Sequence, residues 1–244
     1  MIEALLPDTA AAAEAFGPDG SATPYPEEAE LVARTTDQRR EEFTTVRACA
    51  RRAMTALGLP PAPVLPGVRN VPRWPAGVVG SMTHCAGYRA AVLARDTDLA
   101  MVGIDAEPDR PLPEGVLESI ALPRELAWVR AGSGGRLCRD RLLFSAKEAV
   151  YKTWFPALGS ELDFDDADIA FRVEHEDART GTAHGVFAAR VLRPRHAPDG
   201  RLVDRFAGRW LSGRGLVVTA IAVPARRAAA VAPGTPGAGR NQGG

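Results

Sequence analysis

Two long helical stretches alternate along this chain with two groups of strand-like runs, and that order restricts the fold more than any other feature of the sequence. From Thr36, TDQRREEFTTVRACARRAMTALG places Phe43, Val46, Ala50, Ala53 and Leu57 at spacings of three and four. Such spacing predicts an amphipathic helix, capped by Thr36 or Asp37 and ended by Gly58. The Pro-rich stretch 59–77 sustains no regular element. Residues 90–94 and 99–107 then read as the arms of a hairpin around Asp96-Thr97-Asp98. The pattern turns helical again over 112–155, and four β-like runs follow at 169–173, 185–192, 206–211 and 216–223. Helix, strands, helices, strands is the order expected of an α+β protein of two lobes. The first thirty residues, an alanine run followed by GPDGSATPYPEE, predict turns and irregular structure. Residues 225–244 predict a disordered tail, because they hold almost nothing to bury against the entropy cost of ordering.

Thirty basic residues balance thirty acidic ones. No global field draws such a chain to nucleic acid or a membrane, so any anion recognition has to be built locally. The three cysteines, Cys49, Cys85 and Cys138, form no CxxC pair, which argues against a disulfide framework or a structural zinc site and for a reducing, cytoplasmic setting. No apolar run has the length of a membrane-spanning helix, and the first residues carry acids where a secretory leader carries bases.

Four constellations carry chemical potential. In VGIDAEP, Asp105 and Glu107 stand two residues apart on a predicted strand and so share one face. On spacing alone a solvated strand end is the more common reading. In FSAKEAVYKTWF, Leu143, Ala146, Val150 and Trp154 form an apolar stripe, while Arg141, Glu148 and Lys152 share another face. Glu148 and Lys152 alone would be an ordinary i,i+4 surface pair. Together, three carboxylates from a strand and a helix, with a lysine one turn away, offer an oxygen-rich site for a hard divalent cation such as Mg²⁺. In GSMTHCAGY, Ser81, Thr83 and His84 read as a loop whose hydroxyls, amides and imidazole suit phosphate oxygens. The predicted first helix carries Arg39, Arg40, Arg47, Arg51 and Arg52, of which Arg40, Arg47 and Arg51 share a stripe. A serine hydrolase is disfavoured: GSMTHC is not the G-x-S-x-G elbow, and Ser145-Ala146-Lys147 misses the S-x-x-K spacing.

Taken in order, RREEF with its following arginine, WPxGxxGSxTHCAGY, VGIDAEP and FSAKEAVYKxWFP resemble the 4′-phosphopantetheinyl transferases, of the larger Sfp-like and enterobactin-synthase-component type found in actinobacteria. The resemblance runs over about residues 34–223. It implies a pseudo-dimer of two α+β lobes, 1–108 and 109–224, with the active site in the cleft between them and a monomeric chain. It also implies transfer of the phosphopantetheine arm of coenzyme A to a serine of acyl or peptidyl carrier proteins, leaving adenosine 3′,5′-bisphosphate. Asp105, Glu107 and Glu148, with the Ala106 backbone, match the metal-binding positions. Glu148 matches the general base, and Lys152 the cation on the leaving phosphate. Ser81, Thr83 and His84 match the residues holding the coenzyme A phosphates. The family register selects Arg39 and Arg47 for the nucleotide, where the helical stripe favours Arg40 over Arg39. One departure stands in VLPGVRNVPRWP, where Pro66 and Asn70 replace a usual basic residue and glycines, leaving Arg69 as the available cation. A coenzyme A-binding module without catalysis is the alternative, but such a chain would be expected to have lost one of the three acids.

Overall fold

In the computed structural model, which describes residues 1–132, 136–177 and 179–226, the chain builds two antiparallel sheets. The first contains β1 (Ala10–Phe16), β2 (Val78–Cys85) and β3 (Tyr88–Arg95) in the order β1-β3-β2. The second contains β4 (Leu99–Pro108), β5 (Ala167–Asp177), β6 (Thr182–His196), β7 (Leu202–Gly213) and β8 (Leu216–Pro224) in the order β4-β8-β7-β6-β5. Before β2 come α1 (Pro26–Val32) and the long α2 (Asp37–Ala56); between β4 and β5 come α3 (Val116–Ile120), α4 (Pro123–Ala131) and the long α5 (Arg139–Leu158). The α+β architecture is therefore as expected, and α2 begins at the expected cap, with Thr36 accepting the Arg39 N–H. From residue 227 onward the expected tail lies outside the described residues.

Three expectations are corrected. The alanine run is not irregular but forms edge strand β1, paired from Ala10↔Ala94 to Phe16↔Tyr88. Its small side chains fit because β1 lies between α2, reached by Ala11, Ala13 and Ala15, and the second sheet, reached by Ala10 and Ala12. GSMTHC is not a loop but most of β2. The two arms at 90–94 and 99–107 do not pair with each other: β3 pairs with β1 and β2, and β4 pairs with β8. The chain leaves one sheet and enters the other through the turn at Asp96-Thr97-Asp98, so β4, at the end of the first expected lobe, is laddered into the sheet of the second.

Packing follows from strand parity. Val102, Ile104 and Ala106 of β4 join Val218 and Ala220 of β8 in a buried cluster with Tyr88, Ala90, Val92 and Ala94 of β3. On the opposite face of the second sheet, Leu142, Leu143, Ala146, Ala149, Val150 and Trp154 of α5 pack against Met101, Ile169, Phe187, Phe206, Trp210 and Ile221. The other face of β3, through Ala91 and Leu93, is covered by Cys49, Ala50, Ala53 and Met54 of α2. At the seam the layers run helix, sheet, sheet, helix, and the odd residues of β4 face α5.

The free edge of β4 is satisfied by side chains. Ser81 Oγ accepts the Ile104 N–H and Thr83 Oγ1 accepts the Ala106 N–H, each at 3.1 Å. These two hydroxyls of β2 take the place of the strand that would otherwise cover the edge, which matters because unpaired buried amides are costly. On the other side, Gly103 lets α5 come close to β4: a Cβ there would overlap Thr153 Oγ1 and stand 2.5 Å from the Ala149 carbonyl. Gly103→Ala should therefore lower the unfolding free energy by about 1–3 kcal/mol through overpacking, read as a lower denaturant midpoint at unchanged slope. An unaltered midpoint would contradict this close approach.

Candidate active site

The odd face of β4 delivers Asp105 and Glu107 towards α5, as the same-face spacing requires. Asp105 is 3% exposed. Its Oδ1 accepts from Lys152 Nζ at 2.6 Å and from the Thr83 hydroxyl at 3.2 Å, whereas its Oδ2 is buried without a hydrogen-bond partner. An orphaned carboxylate oxygen in the interior is costly unless a cation meets it. Burial would lower the Lys152 ammonium, but the Asp105 carboxylate, with help from Glu148 and Glu107, raises it above the ordinary lysine range. One turn back on α5, burial raises the Glu148 carboxyl, Lys152 opposes the rise and Asp105 adds to it. Burial and repulsion by Asp105 raise Glu107 as well, against Arg141, whose Nη1 donates to Glu107 Oε2 at 2.9 Å. The Ala106 N–H points to Thr83, and in an antiparallel strand the carbonyl of the same residue lies on that same free edge.

Beside these acids opens a cleft of about 510 Å³, whose lining includes Arg39, Arg47, Ser81, His84, Glu148 and Lys152 but neither Asp105 nor Glu107. Its rim joins α2 to β2: Arg39 Nη1 lies 2.8 Å from His84 Nε2. Arginine only donates, so His84 Nε2 is the acceptor and its proton sits on Nδ1, 4.0 Å from Glu42. Burial, followed by the Arg39 charge, lowers His84 below the usual histidine range and keeps the ring neutral. Arg47 is 7% exposed, with Nε on the Val64 carbonyl and its guanidinium over the Phe43 ring. Burial brings it down to about 10, partly offset by Glu28, so it stays charged near neutrality.

The geometry separates the arginines that the sequence grouped together. Arg39 and Arg47 face the cleft. Arg40 pairs with Asp37, Arg51 pairs with buried Glu28, and Arg52 pairs with Asp19. Arg39, not Arg40, lines the cleft, because the first turn of α2 aims Arg39 at His84 of β2. Ser81 and Thr83 turn towards β4, not outward as loop hydroxyls would; Thr83 fixes the Asp105 carboxylate instead of lining the cleft. Arg69, in the left-handed region at φ 54°, lines the cleft and pairs with Glu161. The sequence reading missed the apolar wall of Phe43, Met82, Tyr151 and Phe155. Its signal was present in α5, where 148, 151, 152 and 155 fall on one helical face.

Among the described residues, the acids whose oxygens gather within 4.8 Å are Asp163, Asp165 and Asp166. Their convergence has a structural cause: Asp166 accepts the Asp163 N–H in a capping box and pairs with Arg193. Asp105, Glu107 and Glu148 do not converge to that distance among the described residues; Asp105 keeps an orphan Oδ2, and Glu148 lines the neighbouring cleft.

Comparison with known proteins bears on this arrangement. Residues 27–94 match a family model described as the 4′-phosphopantetheinyl transferase N-terminal domain, and residues 101–210 match that of the 4′-phosphopantetheinyl transferase superfamily. The 4′-phosphopantetheinyl transferase Svp of Streptomyces mobaraensis is 53% identical over 231 residues, covering 92% of this chain and 90% of that one. The chain belongs to the 4′-phosphopantetheinyl transferase superfamily. PptT of Mycobacterium tuberculosis is 47% identical, covering 91% of this chain and 97% of its own. Npt of Nocardia iowensis is 44% identical over 91% and 99% respectively. Both are likewise named 4′-phosphopantetheinyl transferases. Phosphopantetheinyl transfer is thus the supported activity, ahead of an inert binding module.

In the transferase fold, Glu148 and Glu107 bind protons more tightly than in the unfolded chain. Their contribution to stability is therefore fully present below the ordinary glutamate pKa of 4.5 and is lost as pH rises through the raised folded values. Glu148→Gln should flatten part of that slope, gaining stability relative to the parent above the window but not below it, in chelator-treated melts across pH. Parallel melting curves for the two proteins would contradict the assigned shift.

Proposed function

We propose that the chain transfers phosphopantetheine from coenzyme A to a carrier-protein serine with Mg²⁺ held by Asp105, Glu107 and Glu148 and the Ala106 carbonyl. The observation that carries the metal assignment is Asp105, buried, with one oxygen on Lys152, which itself lines the arginine-rimmed cleft, and the other unpartnered. Mg²⁺, when bound, supplies positive charge against the coenzyme A pyrophosphate, which otherwise repels an incoming oxygen.

This chain's own groups account for the remaining steps. Arg39 and Arg47 hold the phosphate on the nucleotide, with neutral His84 fixing the Arg39 fork and Ser81 and Thr83 bracing the strand beneath. Glu148, on the α5 face that lines the cleft, takes the proton of the serine hydroxyl as that oxygen bonds to the phosphorus bearing pantetheine. The bond from that phosphorus to the nucleotide phosphate breaks, and adenosine 3′,5′-bisphosphate departs with the electron pair. Lys152, firmly protonated beside Asp105, neutralises the charge that develops there. The hydrolase alternative finds no support: Ser81 already accepts the Ile104 N–H, and Ser81 and His84, three residues apart on a strand, point to opposite faces. We place the reaction in the cytoplasm, supported by cysteines that are all free and by the absence, among the described residues, of a helix able to cross a membrane.

Incubation with coenzyme A, Mg²⁺ and apo carriers of the fatty-acid, polyketide and peptide types should add one phosphopantetheine to the carrier serine by mass spectrometry, and chelation should stop it. No modification across the panel would overturn the reading. Glu148→Gln is expected to lose about 10²–10⁴-fold in kcat while retaining coenzyme A binding; a near-normal rate would remove Glu148 as the base. Arg39→Ala should raise KM for coenzyme A roughly tenfold, the scale of one charged hydrogen bond, but barely alter KM for 3′-dephospho-coenzyme A. Equal losses on both substrates would move Arg39 away from the 3′-phosphate.

A further inference from the structure

Arg141 is the one residue of the α5 polar face that the catalytic steps leave without a task, and it is held more tightly than a surface arginine. Its side chain is 12% exposed. Nη1 donates to Glu107 Oε2 at 2.9 Å, Nε to the Arg110 carbonyl at 3.0 Å and Nη2 to the Pro111 carbonyl at 3.0 Å. Neighbouring bonds fasten the same turn to the start of α5: Asp140 accepts the Leu112 N–H, and Asp109 accepts the Cys138 N–H and the Ser212 hydroxyl. The carboxylate of Glu107 therefore ends a strand whose exit is bolted down, and one of its two oxygens is already committed to a cation.

We propose that Arg141 is a positioning and specificity-determining residue that makes Glu107 a one-oxygen ligand and so sets the preference of the site for Mg²⁺ over Ca²⁺. The inference rests on the assignment of Glu107 to the metal. A guanidinium beside Oε2 repels a second cation from that oxygen and leaves Oε1 on offer. Ca²⁺ takes six to eight oxygens and readily uses both oxygens of a carboxylate; Mg²⁺ demands rigid octahedral geometry and is typically held by one or two carboxylates with waters and phosphates. Denying Glu107 its second oxygen withholds what Ca²⁺ favours, and pinning the turn supplies the rigidity that Mg²⁺ requires. Arg141 also cancels one of the three carboxylate charges, which leaves the site less able to capture a larger cation through charge alone.

The test is metal binding, read without turnover. The full chain is titrated with MgCl₂ or CaCl₂ alone, and apparent affinities are taken from the rise in melting temperature. The parent should favour Mg²⁺, and Arg141→Met should shift the ratio of the two affinities towards Ca²⁺ by roughly tenfold, the scale on which partners of metal ligands act. If Arg141→Met does not fold, Arg141→Gln, which is also uncharged but can still bond to the turn, carries the same expectation. A folded variant that binds both metals with the parental ratio would overturn the proposal. A parent that responds to neither metal would instead overturn the metal assignment itself.

Discussion

A carboxylate taken out of water must find its compensation inside the protein, and Asp105 finds it from three directions at once. Lys152 arrives from a helix, the Thr83 hydroxyl from a neighbouring sheet, and the remaining oxygen faces the position where we place a metal. Each of these demands shapes the surroundings. Lys152 reaches β4 because Gly103, two residues before the acid, has no side chain to keep α5 away. Thr83 reaches it because β2 runs along the edge of β4 without laddering to it. Removing either support would leave a buried charge uncompensated, a loss larger than the worth of an ordinary hydrogen bond.

The charged residues divide into those that build and those that face the cleft. Glu28, 0% exposed, gathers Arg51, the Val64 amide and the neighbourhood of Arg47, and so fixes the depth at which Arg47 stands. Lys147, beside the proposed base, is buried on Glu125 and the carbonyls of Phe164 and Ala167, locking α5 to α4 and to the start of β5. Because such groups are satisfied internally, Arg39 and Glu148 are left to line the cleft, and Asp105 beside Lys152 keeps one oxygen without a partner.

How much of this was legible in the sequence depended on the range of the interaction. Same-face spacing placed Asp105 and Glu107 together, and helical spacing placed Glu148 and Lys152 one turn apart; both are local geometry and both hold. The α+β class followed from the order of periodicities. Strand β1 was hidden because alanine has little strand preference of its own, and only the sandwich between α2 and the second sheet makes small residues correct there. The apparent hairpin of β3 and β4 failed because a short turn connects any two neighbouring strands, including strands that belong to different sheets. The grip of Arg141 on Glu107 spans 34 positions; its members were each on the page, but no periodicity links a strand end to a helix start.

The join between the two sheets is made of Ser81 and Thr83, not of a backbone ladder. A ladder fixes register residue by residue, whereas here two hydroxyl contacts fix it at two points beside a buried apolar seam. The acids stand on one side of that joint, and the His84 ring that meets Arg39 stands on the other. The separation between the Arg39–His84 rim and the acids of β4 thus depends on the hydrogen bonds of two small side chains.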